Sequence, residues 1–259
     1  MDPILEINDL SVSFGDGLQH VLRDINLQIE AGCSLVLLGE SGCGKTVLLK
    51  NLIGLLRPTV GEVCFQGQSI SNLSEEALTE IRTRYGFVFQ QAALFDSMTT
   101  FRNIAFPLIQ HTKKSSEEIR EIVMNLINEV GLPESVCNKK PAELSGGMRK
   151  RVGFARALVL EPEIVLYDEP TTGLDPIMTD VINELMLKVA TTRDVTSIIV
   201  THEMRTAKKN ADRVLMLYPL PKLDDEESQI LFDGQEEEMI DYHDPRVRQF
   251  VLGDSKLVV

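Results

Sequence analysis

Short, almost uninterrupted apolar runs recur along the chain: Ser34-Leu35-Val36-Leu37-Leu38, Tyr85-Gly86-Phe87-Val88-Phe89, Ile164-Val165-Leu166-Tyr167 and Ser197-Ile198-Ile199-Val200. Strands covered on both faces read this way, and several of the runs are followed by helical patterns, so they predict a parallel α/β core. One such helix is expected from Gly44 to Leu56, ended by Arg57-Pro58. By contrast, Ile4–Ile7, Val21–Ile29 and Glu62–Gln66 alternate apolar and polar positions and predict a small antiparallel sheet. Between about residues 91 and 160 helices take over. There Ile119, Ile122, Val123, Leu126, Ile127 and Val130 keep a 3.6-residue period, with Ser115 and Glu118 spaced as a capping box. From Leu220 the pattern loosens into the acidic runs Asp224–Glu227 and Glu236–Glu238, which read as solvated surface. The expected organisation is a core with an antiparallel β-subdomain over 1–90 and 161–219, an inserted helical subdomain over 91–160, and a C-terminal extension over 220–259.

The composition narrows the class. With 259 residues, 43% hydrophobic and 25% charged, the chain has ample length for a core. No uncharged apolar run approaches the ~18 residues of a membrane span. Asp2 and Glu6 sit where a signal peptide would be apolar or basic. A cytosolic chain is expected, peripheral if it serves a membrane. The formal charge of −13 argues against general nucleic-acid binding, which runs on phosphate neutralisation. Cys33, Cys43, Cys64 and Cys137 lack CxxC spacing and read as scattered reduced thiols.

Three segments carry candidate chemistry. Gly39-Glu40-Ser41-Gly42-Cys43-Gly44-Lys45-Thr46 fits G-x-x-x-x-G-K-[ST]. Glycines let such a loop wrap until consecutive backbone N–H groups face one anion, and the following helix adds its positive N-terminal end. Lys45 is expected to reach the β- and γ-phosphates of a nucleotide, and the Thr46 hydroxyl to bind Mg²⁺. Leu166-Tyr167-Asp168-Glu169-Pro170 sets two carboxylates at the end of a buried strand. Asp168 is expected to hold Mg²⁺ through water, and Glu169 to orient or deprotonate an attacking water. In isolation such a pair is a helix cap or a solvated turn; the phosphate loop changes its meaning. Leu144-Ser145-Gly146-Gly147-Met148 opens a helix that Ser145 can cap, while the two glycines leave its N–H groups open to an anion.

Taken together, these motifs resemble the ATPase subunit of ATP-binding-cassette (ABC) transporters, over Ile4 to about Leu217. The resemblance implies an α/β fold: a P-loop NTPase (RecA-like) core with an antiparallel β-subdomain and an inserted α-helical subdomain. It implies ATP and Mg²⁺ as ligands and ATP hydrolysis coupled to transport. It also implies a head-to-tail homodimer, in which Ser145, Gly146 and Gly147 contact the γ-phosphate held by the other copy. Residue by residue, it implies Phe14 stacked on adenine and Gly39, Glu40, Ser41, Gly42, Cys43 and Gly44 around the phosphates. Gln90 would meet Mg²⁺ and the attacking water, His202 would contact the γ-phosphate, and Asp175 of Gly173-Leu174-Asp175-Pro176 would couple the two sites. Taken singly, Phe14 also reads as a core residue and His202 as a surface one.

Met148 departs from the commoner glutamine of the signature loop, an exchange expected to be tolerated because Ser145 and the glycines carry the phosphate contact. The stretch Phe89–Thr99 and the ending Pro245–Phe250 look like lipid-transport ATPases of Gram-negative bacteria, most like those of MCE-type (maintenance-of-lipid-asymmetry) phospholipid transporters. That likeness implies integral-membrane permease subunits and an MCE-domain substrate-binding protein as partners, no nucleic acid, and a peripheral position on the cytoplasmic face of the inner membrane. A permease helix is expected to dock near Gln90–Asn103. The alternative is the ATPase of an importer for amino acids or another small solute. A non-transport role in DNA repair or translation would call for a second cassette, long coiled coils or a basic face. A second departure is Tyr218–Ser228, longer and more acidic than the short glycine-containing hairpin usual there.

Overall fold

The structure, a computed structural model, describes residues 3–15 and 17–253. In chain order it begins with β1 (Leu5–Phe14), β2 (Gln19–Ile29), β3 (Ser34–Leu38), α1 (Lys45–Leu52), β4 (Val60–Phe65), β5 (Gln68–Ser69) and α2 (Glu75–Arg82). Next come β6 (Tyr85–Val88), α3 (Thr100–His111), α4 (Ser116–Glu129), α5 (Gly146–Leu158), β7 (Ile164–Asp168) and α6 (Pro176–Arg193). The chain closes with β8 (Thr196–Val200), α7 (Met204–Asn210), β9 (Arg213–Leu217), β10 (Ile230–Gly234) and α8 (Pro245–Leu252). Two compact units result, one from the residues up to Leu78 with those from Thr196 onward, the other from Thr79–Val195.

In the first unit the alternating segments form the expected antiparallel sheet, in the order β2-β1-β4-β5. The inward residues of β1 are Leu5, Ile7, Leu10 and Val12, paired with Ile29, Leu27, Ile25 and Leu22 of β2. The three-residue steps from Ile7 to Leu10 and from Leu22 to Ile25 mark bulges, which restore each apolar set to one face. Asp9 and Asp24 absorb them at φ 49° and 50°. Neighbouring side chains serve the freed backbone: Asp9 N donates to Asn26 Oδ1 at 2.9 Å and Asp24 N to Ser11 Oγ at 3.0 Å.

The same unit carries the strand run β10-β9-β3-β8, with β9, β3 and β8 parallel and β10 antiparallel to β9. Every residue of β3 and β8 is buried, as continuous apolar runs require. Helix α1 ends at Leu52, four residues before the expected Leu56. Gly54 at φ 66° turns the chain first. Leu55 N donates to Lys50 O at 2.8 Å and Gly54 N to Asn51 O at 3.0 Å, the bond pair of a Schellman cap. Pro58 lies beyond a stop already made. The region after Leu220, where the sequence pattern predicts no regular element, contains β10 and α8. Its first acidic run is only partly solvated: Glu227 is half-buried and pairs with Arg246 at 3.2 Å.

In the second unit β6 and β7 pair in parallel, and Arg84 forks onto Glu163 where they begin. Helix α4 has the predicted capping box: Ser115 Oγ accepts from Glu118 N and Glu118 Oε2 accepts from Ser115 N. Helices α3, α4 and α5 pack together, and α5 also lies on β6, where a Cβ on Gly86 would come within 2.6 Å of Ala157 O. Among the described residues no helix is long and apolar enough to cross a membrane.

Candidate functional site

In the first unit β3 runs directly into the Gly39–Gly44 loop and α1. Gly39, Gly42 and Gly44 adopt φ of 145°, 84° and 100°, values that side chains resist. Two of these glycines also rest on backbone. A Cβ on Gly39 would collide with Leu217 O at the end of β9, and one on Gly44 would come within 3.0 Å of Val21 O on β2. Gly44 offers α1 no side-chain cap, so the first helical N–H groups point at the loop's concavity without a competing acceptor from that side chain. Lys45 is only 7% exposed, and its Nζ donates to Gly39 O at 2.7 Å and Glu40 O at 2.9 Å. The loop thus encloses a positive charge held by carbonyl dipoles. Thr46 follows half-buried in the first helical turn, while Ser41 and Gly42 are exposed.

Burial pushes the Cys43 thiol up, so it serves packing and not thiolate chemistry. Glu40 pairs with Lys222 at 2.5 Å. His202 stands exposed in the turn between β8 and α7. Phe14 ends β1 opposite Gln19 and is 40% exposed, which removes it from the core.

The second unit carries Asp168, Glu169, Asp175 and the Ser145–Gly147 turn. Asp168 is the last residue of β7, and Glu169 follows in the left-handed region at φ 49°. Thr172 Oγ1 donates to Glu169 Oε2 at 3.1 Å and fixes the carboxylate over its own turn. Asp175 caps α6, accepting from Ile177 N at 3.0 Å and Met178 N at 2.9 Å. Ser145 caps α5 through Met148 N at 3.3 Å. A Cβ on Gly146 would meet open space, whereas one on Gly147 would come within 2.6 Å of Met178 Cε. Gly146 therefore leaves the helix N-terminus approachable, and Gly147 lets α6 sit against it. Gln90 is exposed just after β6, before two residues in the left-handed region, Ala92 and Ala93.

Sequence reasoning missed the groups that hold these turns. Lys150 on α5 is 8% exposed and donates to Pro170 O and Thr172 O, both at 2.7 Å, tying the helix to the loop after Glu169. Arg156 donates to Ala93 O at 2.7 Å and Ala92 O at 2.8 Å, supporting the turn behind Gln90. The available signal was a basic residue on an otherwise apolar stripe: Lys150 lies three residues after Gly147 and four before the buried Phe154. Beside Gln90 a groove of about 520 Å³ is lined by Phe87, Phe89, Phe95, Phe106, Pro107 and Arg156. Phe89 and Phe95 are exposed there.

The metal-binding candidates all offer hard oxygen: a hydroxyl from Thr46 in the first unit, and a carboxylate from Asp168 and an amide oxygen from Gln90 in the second. Donors of that chemistry suit Mg²⁺, which keeps waters and substrate phosphates as its other ligands. Among the described residues no group of three or more His, Cys, Asp or Glu could hold a metal, and Mg²⁺ needs no such cage.

A family model described as ABC transporter matches residues 22–172. The chain is 45% identical over 249 residues to the probable ribonucleotide transport ATP-binding protein mkl of Mycobacterium tuberculosis; the match covers 96% of this chain. The chain spans 66% of the length of that relative. It is 37% identical over 252 residues to the intermembrane phospholipid transport system ATP-binding protein MlaF of Haemophilus influenzae, covering 97% of this chain and 91% of that protein. Among solved structures, the dimeric ATP-binding cassette MJ0796 in a post-hydrolysis state with ADP and Pi superposes with a TM-score of 0.80 at 31% identity, covering 90% of this chain and 98% of that one.

Proposed function

This chain belongs to the ABC transporter family, and from that premise we propose that it is the ATP-binding and hydrolysing subunit of a transporter that moves phospholipid between bacterial membranes. The observation that carries this is the similarity to the phospholipid-transport ATP-binding protein of Haemophilus influenzae, which runs over nearly the full length of both chains. A small-solute importer is the second candidate, supported by the 45% identity to the mycobacterial ribonucleotide-transport relative. That relative has a third of its length outside the match, so likeness there extends to the cassette alone.

In this proposal the Gly39–Gly44 N–H groups and Lys45 bind the phosphates, and Phe14 stacks on adenine. Thr46, Asp168 and Gln90 would be the residues to hold Mg²⁺, whose chemistry there would be to neutralise phosphate charge. Glu169 accepts the proton of the water whose oxygen attacks the γ-phosphorus, while the bond to the β-phosphate bridging oxygen breaks and ADP and phosphate leave. His202 steadies the γ-phosphate. Ser145, Gly146 and Gly147 of a second copy offer helix N–H groups to that phosphate, so that ATP favours a closed homodimer by binding it more tightly than the open one. Asp175 couples the two sites. Hydrolysis removes the charge that held the copies together.

The aromatic groove beside Gln90 receives a cytoplasmic helix of the permease, which places the chain peripherally on the cytoplasmic face of the inner membrane. Purification from native membranes in mild detergent, with mass identification of what co-elutes, tests the proposal. A permease together with an MCE-domain protein is expected. A permease with a soluble-substrate receptor would transfer the chain to the solute importers, and no membrane partner would end the transport proposal.

A further inference from the structure

The segment between β9 and β10 is the departure from the family pattern that the function above leaves unused. Its ends are pinned by a backbone bond, Tyr218 N to Gln229 O at 3.0 Å. Between them the chain turns over the outer strand β2. Arg23 Nη2 donates to Asp224 O and Glu227 O, both at 2.8 Å, so the acidic run presents carbonyl oxygens to a guanidinium. Lys222 meanwhile pairs with Glu40 of the phosphate loop.

Gln229 is the innermost residue of this strap, 2% exposed. Its amide is fully used. Oε1 accepts from Arg23 N at 2.9 Å, and Nε2 donates to Val21 O and to Cys43 O, both at 3.0 Å. Cys43 stands in the middle of the phosphate loop, and Val21 O is the same oxygen that Gly44 rests on. One side chain therefore joins the loop to β2 and to the strap. Only an uncharged amide of this length offers two donors and one acceptor here; a carboxylate offers no donor to the two carbonyls.

We propose that Gln229 is a positioning residue for nucleotide binding: the 219–229 strap, through this amide, holds the Gly39–Gly44 loop in its anion-binding curl before the nucleotide arrives. The proposal rests on the assignment of that loop to ATP. Preorganisation of this kind lowers the ordering cost of binding and leaves the bond-breaking groups alone. Its signature is accordingly a change in ATP affinity at constant turnover.

The test uses the full chain, with a fluorescent ATP analogue for affinity, steady-state hydrolysis for kcat and KM, and amide exchange of residues 40–46 without nucleotide. Gln229→Ala is expected to weaken analogue binding and raise KM about tenfold, to leave kcat within about twofold, and to speed exchange in the loop about tenfold. Gln229→Glu adds a pH readout. Protonated, its carboxyl regains one donor for a carbonyl, so affinity relative to the unsubstituted chain recovers as pH falls and is lost as pH rises. Unchanged affinity and exchange in Gln229→Ala would overturn the proposal. Should that variant fail to fold, a Gln229→Glu whose relative affinity does not move with pH would overturn it equally. If the unsubstituted chain binds no ATP, the loop assignment fails on its own, and loop exchange in Gln229→Ala still decides whether the amide holds the loop.

Discussion

Glu169 joins a strained backbone to a fixed side chain. Its backbone sits in the left-handed region at φ 49°, a conformation costing a residue with a Cβ about 1–2 kcal/mol, and its carboxylate is fixed by the Thr172 hydroxyl. Glu169→Gln keeps the size and the hydrogen bond but removes the proton acceptor. ATP affinity is expected to stay within about threefold while turnover falls ~10²-fold or more, so that ATP-closed dimers accumulate and elute early on gel filtration. Rapid turnover by this variant would move the base to another residue. The motif itself was legible, because an acidic pair after four apolar residues needs no tertiary information. The left-handed turn was not, since it is imposed by the loop that follows.

At the scale of elements, α3 shows how a helix organises the loop before it. Asn103 is fully buried; its Oδ1 accepts from Phe95 N at 2.8 Å. Its Nδ2 faces the carbonyl oxygens of Phe95, Met98 and Thr99 at 3.1–3.2 Å. The loop that carries Phe95 into the aromatic groove thus has a helix-borne amide as its core. Asn103→Leu keeps the branched skeleton of the side chain and strands these backbone groups. It should lower stability by about 1–3 kcal/mol in chemical denaturation and speed amide exchange over residues 95–99, while ATP affinity stays near its original value. Protection of those amides equal to that of the unsubstituted chain would show that the loop stands without Asn103. Two helix starts could be read from spacing: Ser115 and Glu118 announce α4, and Ser145 announces α5. The stop of α1 was misplaced because Gly54 ends the helix through a left-handed turn, four residues before the proline that draws the eye.

For the molecule as a whole, the C-terminal residues belong to the first unit and are fastened by charge. Arg246 donates to Asp244, the residue that caps α8, and to Glu227 of the strap, and it lies 5.1 Å from the Tyr218 ring. Hydrogen bonding from Arg246 holds Asp244 below the ordinary carboxylate range. Glu227 is lowered first by the Asp224 backbone N–H and then by Arg246. A carboxylate lowered in the folded state stabilises it above the unfolded pKa, near 4, and the contribution is lost as pH falls through the lower folded value. Amide exchange over 245–252, corrected for its intrinsic pH dependence, should therefore rise below about pH 4. In Asp244→Asn it should already be raised at pH 7, with a smaller acid step. Identical profiles for the two chains would remove Asp244 from this role.

The chain's order by itself determined the parallel core, the antiparallel sheet, the capped starts of α4 and α5 and the motifs on which the ATP proposal is built. Each is a local pattern, in which period, spacing and residue type act over a few positions and their physical meaning needs no distant partner. Tertiary structure alone decided what grips those motifs. Gln229 reaches Cys43, Lys150 reaches Pro170 and Thr172, and Arg156 reaches Ala92 and Ala93. In every case the partner is a backbone carbonyl, identical at each residue, so no side-chain type marks it in the sequence and only folding brings the donor within reach.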